Sequence, residues 1–522
     1  MTTPPGTPSP PVPSPPPVTP YRSQLPPSHD GFPQLLHAEW TKLRTVRRWG
    51  VALLAAVLVT VFVSMLGALS GSSKVAGGGP PPPPIGPDGK AVLDSFPFVH
   101  QGLTGDGTLT ARVSPPTGRE GPAEPWAKAG IMVKASTKPG SAYAAVMVTP
   151  GHGVRLQSDF THDTAGAAET GDGPYWLRLT RAGDVVTAYE SADGARWNKV
   201  GSVTLKGLPR TARAGLFAAT PGHVEVQREF GSARIGGSPS QVTAAFDRVT
   251  VEGTGAGSGW RQDRIGGGAP GDPRDTGRAD GSTESGGTWR LTASGDIAPM
   301  VLDTDLVQRA LSGAQIGLIP LAALGALFIT AEYRRGMIRA TLTASPRRGR
   351  VLAAKAVVLA GAAFVTGAVG SAVAFLFAEP ALRERLPHPL YHPDLGLTDG
   401  PVLRAVLGTA VLLAAVTVLA LAAGALLRNT AAAVTLIVVV LVLPLVLLSG
   451  LPVDVAQWVM RLTPLAGFAI QRTALRYEQV DTVCLPEDGC YPQGPWTGLT
   501  VLCGYAVVVL GVAMWRLRKR DA

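Results

Sequence analysis

Charged residues are scarce in this 522-residue chain, since Asp, Glu, Lys and Arg together make up only 16% of it. The apolar residues gather in long uninterrupted blocks, which excludes both a single soluble globule and a wholly disordered chain. Cysteine is scarcer still, with three residues, and this excludes a disulfide-dense scaffold. No segment matches the phosphate-binding loop G-x-x-x-x-G-K-[ST], so the sequence predicts no ATP site of its own.

Glycine and proline, by contrast, are abundant, with 63 and 46 residues. Residues 1–30 are a Pro/Ser/Thr tract that is predicted to form a disordered tail, with a partner-docking motif as the alternative. The net charge of +10 would suit nucleic acid, but the basic residues flank apolar blocks. This pattern favours a membrane surface, and no nucleic-acid partner is expected.

Residues 31–49 carry apolar side chains at helical spacing with basic residues between them, which predicts an amphipathic helix at a membrane interface. Residues 50–69 follow without a single charge and are predicted to form the first transmembrane span. The candidate interfacial residues of the amphipathic helix are Glu39, Trp40, Lys42, Arg44 and Arg47.

Five more uncharged stretches, each close to twenty residues, alternate with connectors in residues 310–522. At 1.5 Å per residue each can cross a hydrocarbon core of roughly 30 Å. Sixteen basic residues flank one set of span ends and six flank the other, which predicts that both termini are cytoplasmic. The five stretches are 310–331, 356–378, 405–427, 431–451 and 497–515.

The long segment between the first two spans reads differently. Residues 70–89 form a Gly/Pro linker, and residues 90–252 show short alternating runs separated by turn residues. Period-two alternation with turns every ten or so residues predicts an antiparallel β-sandwich on the extracytoplasmic side. Residues 253–309 are interpreted as a Gly-rich loop and return segment.

Two of the three cysteines, Cys484 and Cys490, fall in a predicted outer loop with five residues between them. Oxidation is possible on that side of the membrane, so they are a candidate disulfide, with two free thiols as the alternative. His388 and His392 have a helical metal-ligand spacing, but Pro389 argues against a helix there. We expect no metal site.

Two motifs flank the spans: L-x-A-E-W-T-K-L-R-T-x-R at Leu36–Arg47 and A-E-Y-R-R-G-x-I-R-A-T-L-x-A-x-P-R-R at Ala331–Arg348. Together they resemble the permease subunits of ABC-2-type ABC transporters, especially actinobacterial ones, over residues 34–70 and 305–522. The resemblance implies six spans, a separate ATPase subunit that binds ATP and Mg, and a homodimer or a sister permease. The chain departs from that family by its large insertion between the first two spans.

In that family the first motif is an interfacial connecting helix, and the second is a coupling helix that docks on the ATPase. The residues themselves leave two alternatives, because any juxtamembrane loop is basic and Glu332 can simply pair with a neighbouring Arg at the headgroups. The candidate coupling residues are Glu332, Tyr333, Arg334, Arg335, Gly336, Arg339, Arg347 and Arg348.

The inserted segment resembles the concanavalin A-like lectin/glucanase β-sandwich, in its DUF1349-like branch, which implies a jelly-roll fold and cell-wall polysaccharide binding. Trp126, Trp176 and Trp197 are candidates for stacking on sugars, although tryptophan on sandwich strands is more often core. The catalytic E-x-D-x-x-E strand of related glucanases is absent, so we expect no enzyme, and no catalytic or cofactor-binding residue. The ordered motifs are Gly105–Val113, Trp126–Ser136, Tyr143–Val154, Pro174–Gly183, Tyr189–Trp197 and Ala245–Val251.

These expectations combine into one architecture: a six-helix transmembrane domain with an extracytoplasmic lectin-like sandwich inserted between its first two spans. The expected function is that of a permease subunit, most simply an exporter, in the plasma membrane. Intramembrane Asp, Glu and His are almost absent, which argues against an ion-coupled carrier. The alternative is a membrane-anchored carbohydrate-binding or sensory surface protein without transport.

Overall fold

The computed structural model describes most of the chain between residues 31 and 519. The predicted tail, residues 1–30, and much of the predicted linker lie outside the described residues. The ranges not described are 1–30, 71–81, 168–170, 172, 230–231, 254–258, 267–279, 302–304, 335, 338–346, 385–393, 449, 481–483, 485–488 and 520–522.

The described residues between 92 and 299 form nineteen β-strands joined by turns and loops, which confirms the predicted antiparallel β-rich region. Predicted alternating runs such as 107–115 and 175–183 are strands, and Gly183 makes the predicted tight turn with a positive φ of 61°. The strands are β1 Val92–Asp94, β2 Phe96–Thr104, β3 Gly107–Val113, β4 Thr117–Gly118, β5 Lys128–Lys134, β6 Tyr143–Thr149, β7 Gly153–Ser158, β8 His162–Ala165, β9 Tyr175–Ala182, β10 Val185–Ser191, β11 Asn198–Thr204, β12 Thr211–Ala219, β13 His223–Glu229, β14 Ser232–Ser238, β15 Val242–Gly253, β16 Arg261–Ile265, β17 Gly281–Ser285, β18 Thr288–Ala293 and β19 Ile297–Pro299.

Two large antiparallel sheets hold most of these strands. One sheet has the order β11-β10-β9-β3-β15-β18-β17, with β4 also paired to β15, and the other has the order β16-β2-β12-β5-β6-β7-β8. Alternate residues of both sheets, such as Leu109, Ile131, Leu179 and Leu216, meet in one buried core between them. The two-layer packing follows because each sheet must bury its apolar face.

The sheet that contains β5 and β6, which has seven strands, is also covered on its second face. Every residue of β5 and β6 is therefore buried. A second core lies there, built from Phe96, Phe98, Met132 and Phe217 of the sheet and from Ile297 of β19. The ladder between β1 and β19 pairs the start and the end of the β-rich region side by side.

The predicted end of this region at residue 252 is too early, because β16, β17 and β18 belong to the two large sheets. Strands β16 (RQDRI) and β17 (GSTES) are edge strands with exposed polar side chains, so hydrophobic alternation could not reveal them. The pair Gly286 and Gly287, both with positive φ, joins β17 to β18 and was an available hairpin signal.

The remaining described residues are largely helical, and five of these helices are long and apolar enough to cross a membrane: Arg47–Ser70, Ala314–Arg334, Arg348–Arg383, Gly400–Leu427 and Pro495–Lys519. The predicted interfacial helix is shorter than 31–49, since extended Val46 ends it and residues 47–49 open the next helix. The helices are α1 Phe32–Thr45, α2 Arg47–Ser70, α3 Leu306–Ala310, α4 Ala314–Arg334, α5 Arg348–Arg383, α6 Gly400–Leu427, α7 Thr430–Leu448, α8 Val453–Leu462 and α9 Pro495–Lys519, with a 3₁₀ helix at Pro464–Gln471.

Helix α6 lies at the centre of the helical region, with 78% of its most apolar stretch buried against 22% for α2. Small residues let the neighbouring helices approach it. A Cβ at Gly325 of α4 would collide with the backbone carbonyl oxygen of Thr417, so only glycine fits this crossing.

Replacing Gly325 by leucine is expected to lower the free energy of unfolding by about 1–3 kcal/mol, because backbone at the crossing cannot give way. Thermal unfolding of the detergent-solubilised chain measures this as a lower Tm. Gly361→Leu on α5 is the matched control, since a Cβ there meets nothing within 4 Å. Equal Tm values for the two variants would contradict the close α4–α6 contact.

Candidate functional site

Four charged side chains meet where α1 packs against the end of α4 and the start of α5. Lys355 Nζ donates to Glu39 Oε2 at 2.8 Å and to Glu332 Oε1 at 2.6 Å. Lys42 Nζ donates to Glu39 Oε1 at 2.8 Å and to Glu332 Oε1 at 3.2 Å. We call this set, Glu39, Lys42, Glu332 and Lys355, the charge cluster. It joins three helices, and its most distant pair, Glu39 and Lys355, is 316 residues apart in sequence.

The charge cluster is buried on one side and open on the other. The side chain of Lys355 is fully buried, those of Glu39 and Glu332 nearly so, whereas 42% of Lys42 is exposed. The ammonium of Lys355 also lies 5.0 Å from the ring centroid of Phe328, a further stabilising contact for its charge. Two carboxylates and two ammonium groups compensate each other, which buried charges require.

The electrostatics of Lys42, which lies in α1 outside the apolar helices, reflect this arrangement. Burial lowers the pKa of Lys42, but its hydrogen bonds and charge interactions with Glu39 and Glu332 outweigh that effect and raise the pKa above its ordinary value. Lys42 is therefore held as a cation, and it fastens α1 onto the end of α4.

The predicted interfacial residues, which lie in α1 and at the start of α2, differ in burial. Glu39 is buried in the charge cluster, whereas Trp40, Arg44 and Arg47 are exposed. The sequence grouped all of these residues by helical spacing but did not predict that Glu39 would turn inward to a lysine of another span.

Glu332 was predicted as a contact for an ATPase, or as a partner of a neighbouring Arg. Its contacts differ from both, because its carboxylate accepts hydrogen bonds from Lys42 and Lys355 inside the chain. Burial explains the difference, since a carboxylate at the end of an apolar helix finds its cation on the helices packed against it. Lys355, the first charged residue before the third apolar stretch, was the missed partner.

The other candidate coupling residues lie just beyond this point. Arg334, Gly336 and Arg347 are exposed, and Gly336 has a φ of 68°, which ends the helix with a left-handed residue. The ring of Tyr333 lies under the guanidinium of Arg428, 5.1 Å from it. Arg348 donates to the carbonyl oxygen of Leu517 at 3.3 Å. Arg335 and Arg339 lie outside the described residues.

The three predicted sugar-stacking tryptophans differ in access. Trp126 is only 2% exposed, stacked on His152 with ring centroids 3.9 Å apart, so it is not available to a sugar. Trp176 and Trp197 are half-buried on the outer face of the eight-stranded sheet. The guanidinium of Arg178 lies 3.8 Å above the ring of Trp197, which leaves one ring face open at most.

A second set of buried charges lies on the covered face of the seven-stranded sheet. Lys134 Nζ donates to Asp94 Oδ2 at 2.9 Å with both side chains fully buried, and Lys128 pairs with Asp296 at 2.5 Å. The pairs fix β1 and the residues before β19 onto β5. Burial raises the pKa of the Asp94 carboxyl more than the charge of Lys134 lowers it, and burial likewise lowers the pKa of Lys134.

Sequence patterning missed these pairs for a specific reason. In β5 the two lysines lie on the same face as Gly130 and Met132, and Ile131 and Val133 lie on the other face. Hydrophobic alternation therefore predicts that the face with the lysines is exposed to solvent. The second core covers that surface, so both lysines are buried and need carboxylate partners.

His100 gives the β-rich region a pH dependence. Burial lowers the pKa of His100 more than its hydrogen-bonded partner Asp263, 2.8 Å away, raises it. Below its usual value of 6.5 the unfolded chain binds a proton that the folded chain resists, so stability falls as the pH drops through that value.

We therefore expect the Tm to fall between pH 7.5 and pH 5.5 more steeply in the native chain than in His100→Gln, which cannot titrate. Thermal unfolding of both proteins at the two pH values measures the difference. Parallel pH profiles would show that another group causes the dependence.

The segment 472–494, which we call the disulfide segment, contains the disulfide Cys484–Cys490. The carboxylate of Asp305 caps α3 and also accepts hydrogen bonds from Thr473 Oγ1 at 2.9 Å and the Ala474 N–H at 2.7 Å. Gln479 Nε2 donates to the carbonyl oxygen of Phe160 at 3.2 Å. The disulfide segment thus contacts both a helix of the helical region and the β-rich region.

No cluster of three or more His, Cys, Asp or Glu side chains suited to a metal ion occurs among the described residues. His388 and His392 lie outside them. The charge cluster pairs two carboxylates with two ammonium groups, and these contacts hold three helices together.

Comparison with known proteins finds no matching family model and no matching curated protein. Among solved structures, a functionally unknown protein from Saccharomyces cerevisiae is 19% identical, covers 29% of this chain and 71% of its own, with a TM-score of 0.21. Scytalido-glutamic peptidase bound to a transition state analog inhibitor is 12% identical, covers 38% of this chain and 98% of its own, with a TM-score of 0.26. SCP-B, a member of the Eqolisin family of peptidases, is 13% identical, covers 38% of this chain and 98% of its own, with a TM-score of 0.24.

The peptidases among these structures contradict the expectation that the chain is not an enzyme, and that expectation is withdrawn. It rested on missing motifs, and a missing motif excludes only the enzymes that carry it. TM-scores of 0.24 to 0.26 do not assign a reaction to this chain.

Proposed function

We propose that the chain is the permease subunit of an ABC-2-type transporter, most simply an exporter in the plasma membrane, driven by a separate ATPase that binds ATP and Mg. In this proposal α7 is the sixth span beside the five helices above, both termini are cytoplasmic, and the β-rich region is an extracytoplasmic lectin-like jelly roll. The subunit would work as a homodimer or with a sister permease.

The charge cluster is the single observation that carries this proposal. It ties α1 to the ends of α4 and α5, the two helices that flank the predicted coupling loop. A force applied to that loop would therefore move the three helices as one unit, since breaking buried ion pairs is costly. A membrane-anchored surface protein without transport would not need a charge cluster that links these three helices.

Exposed residues beside the charge cluster supply the docking surface in this proposal. Arg334 is the last residue of α4, Met337 follows it, and Arg347 precedes α5; all three are exposed. A basic surface with an apolar side chain suits a polar, partly wet protein interface. Glu332 is excluded from this surface by its contacts inside the chain.

The proposal predicts that the tagged full chain, purified in mild detergent from its own cells, elutes with a protein that carries a phosphate-binding loop. The double variant Arg334→Glu/Arg347→Glu should reduce the recovered ATPase activity at least about tenfold, because charge reversal at an interface costs several kcal/mol. Vanadate-sensitive ATP hydrolysis and mass spectrometry of the eluate measure the two results.

Arg461→Glu on α8 is the matched control, since it is an exposed arginine on a helix that does not flank the predicted coupling loop. It should leave ATPase recovery unchanged. Absence of any phosphate-loop protein from the native eluate, with the chain itself folded, would refute the permease assignment.

A further inference from the structure

One face of α9 is apolar and exposed along the helix. Val508, Val512 and Trp515 recur at intervals of four and three residues and are 63%, 44% and 55% exposed. They form a stripe that ends in the last turn, and α9 is one of the five helices long enough to cross a membrane. A stripe of this kind lies against lipid acyl chains when the helix spans a bilayer.

The stripe ends in a group of cations. Arg516, Arg518 and Lys519 occupy the last turn of α9, and Lys519 Nζ lies 4.4 Å from the ring centroid of Trp515. The guanidinium of Arg518 packs over Gly349 at the start of α5, where the missing side chain leaves it room. Two helix ends therefore bring their basic residues together.

These cations have no counter-charge in the described chain. Arg516 and Arg518 form no ion pair with any described residue, and the neighbouring first turn of α5 contains no acidic residue. The C-terminal end of a helix dipole compensates part of the charge but does not neutralise three cations. Like charges within one turn repel, so an anion from outside the chain would be stabilising.

We infer that the end of α9 binds the headgroup of an anionic phospholipid. The geometry selects a lipid because its acyl chain would follow the stripe of Val508, Val512 and Trp515, which places its phosphate level with Arg516 and Lys519. An acidic protein or a nucleic acid would use the cations and leave the apolar stripe without a role. Basic pockets between helix ends are suited to anionic headgroups.

The test uses the full chain in detergent, titrated with dioleoyl-phosphatidylglycerol, with dioleoyl-phosphatidylcholine or with inorganic phosphate, and native mass spectrometry to count bound molecules. We expect phosphatidylglycerol to bind at least tenfold more tightly than phosphatidylcholine. Arg516→Gln/Arg518→Gln/Lys519→Gln should remove this preference, because each cation near an anionic headgroup contributes up to about fivefold in affinity.

Arg461→Gln is the control, because that arginine also lies beside an exposed tryptophan, 5.2 Å from the ring of Trp458, but on α8. It should keep the preference, and so should Arg516→Lys/Arg518→Lys, which retains the charge and excludes misfolding as the cause. Equal affinity for the two lipids in the native chain would overturn the inference. So would tight binding of inorganic phosphate alone, or an unchanged preference in the triple glutamine variant; none of these results bears on ATPase recovery.

Discussion

Replacing Lys355 by methionine is expected to lower the free energy of unfolding by about 3–5 kcal/mol, the largest effect of any single change in the helical region. Methionine fills a similar volume but leaves Glu39 and Glu332 buried without the cation that bonds to both. The remaining partner, Lys42, is 42% exposed and already bonded, so it cannot compensate. Thermal unfolding and monodisperse recovery after detergent extraction measure the loss.

Two further variants separate charge compensation from packing. Lys42→Met should cost much less, because Lys355 still bonds to both carboxylates and water screens the exposed side of the cluster. Glu39→Gln/Glu332→Gln/Lys355→Met should recover most of the stability, since neutral groups leave no uncompensated charge. If Lys355→Met proved no more destabilising than Lys42→Met, the charge cluster would not hold the three helices together.

The second large effect is expected in the β-rich region, where Lys134→Met should also cost about 3–5 kcal/mol. The substitution leaves the fully buried carboxylate of Asp94 with one remaining donor, the N–H of Gly140 at 2.7 Å. Because Asp94 is the last residue of β1, the ladder between β1 and β19 should open first. Hydrogen exchange of the full chain at residues 92–94 and 297–299, with thermal unfolding, measures both effects.

Lys199→Met on exposed β11 is the control and should change the stability by less than about 0.5 kcal/mol. Asp94→Asn/Lys134→Met should be more stable than Lys134→Met alone, since the amide carries no charge to bury. Rapid exchange in Lys134→Met that is matched by the control would argue against a role for this ion pair in fixing β1.

The sequence predicted those elements whose hydrophobic period is strong. Apolar stretches such as 405–427 became helices, and alternating runs such as 107–115 became strands. Edge strands β16 and β17 were missed because both have exposed polar faces, and the end of α1 was misplaced by the short extended break at Val46. The hydrophobic pattern of a segment predicts its helix or strand only where one face of that element is buried.

The candidate site was predicted in part, and the reason lies in sequence distance. Helical spacing and the two flanking motifs pointed to Glu39, Lys42 and Glu332. No local feature of the sequence predicted that these residues contact one another or Lys355. The same holds for Asp94 and Lys134, whose burial depends on a second core that forms from distant strands. Ion pairs across 40 to 316 residues are a property of the fold rather than of any window of sequence.

The ladder between β1 and β19 has one more consequence. Because Val92 lies opposite Pro299 and Asp94 opposite Ile297, the chain enters and leaves the β-rich region through neighbouring strands, about 5 Å apart. A cassette with adjoining ends can be excised or exchanged for another at a single junction, and a few flexible residues would bridge the gap. The helices on either side would keep their spacing, so such an exchange would replace the β-rich region without any change to the helical region.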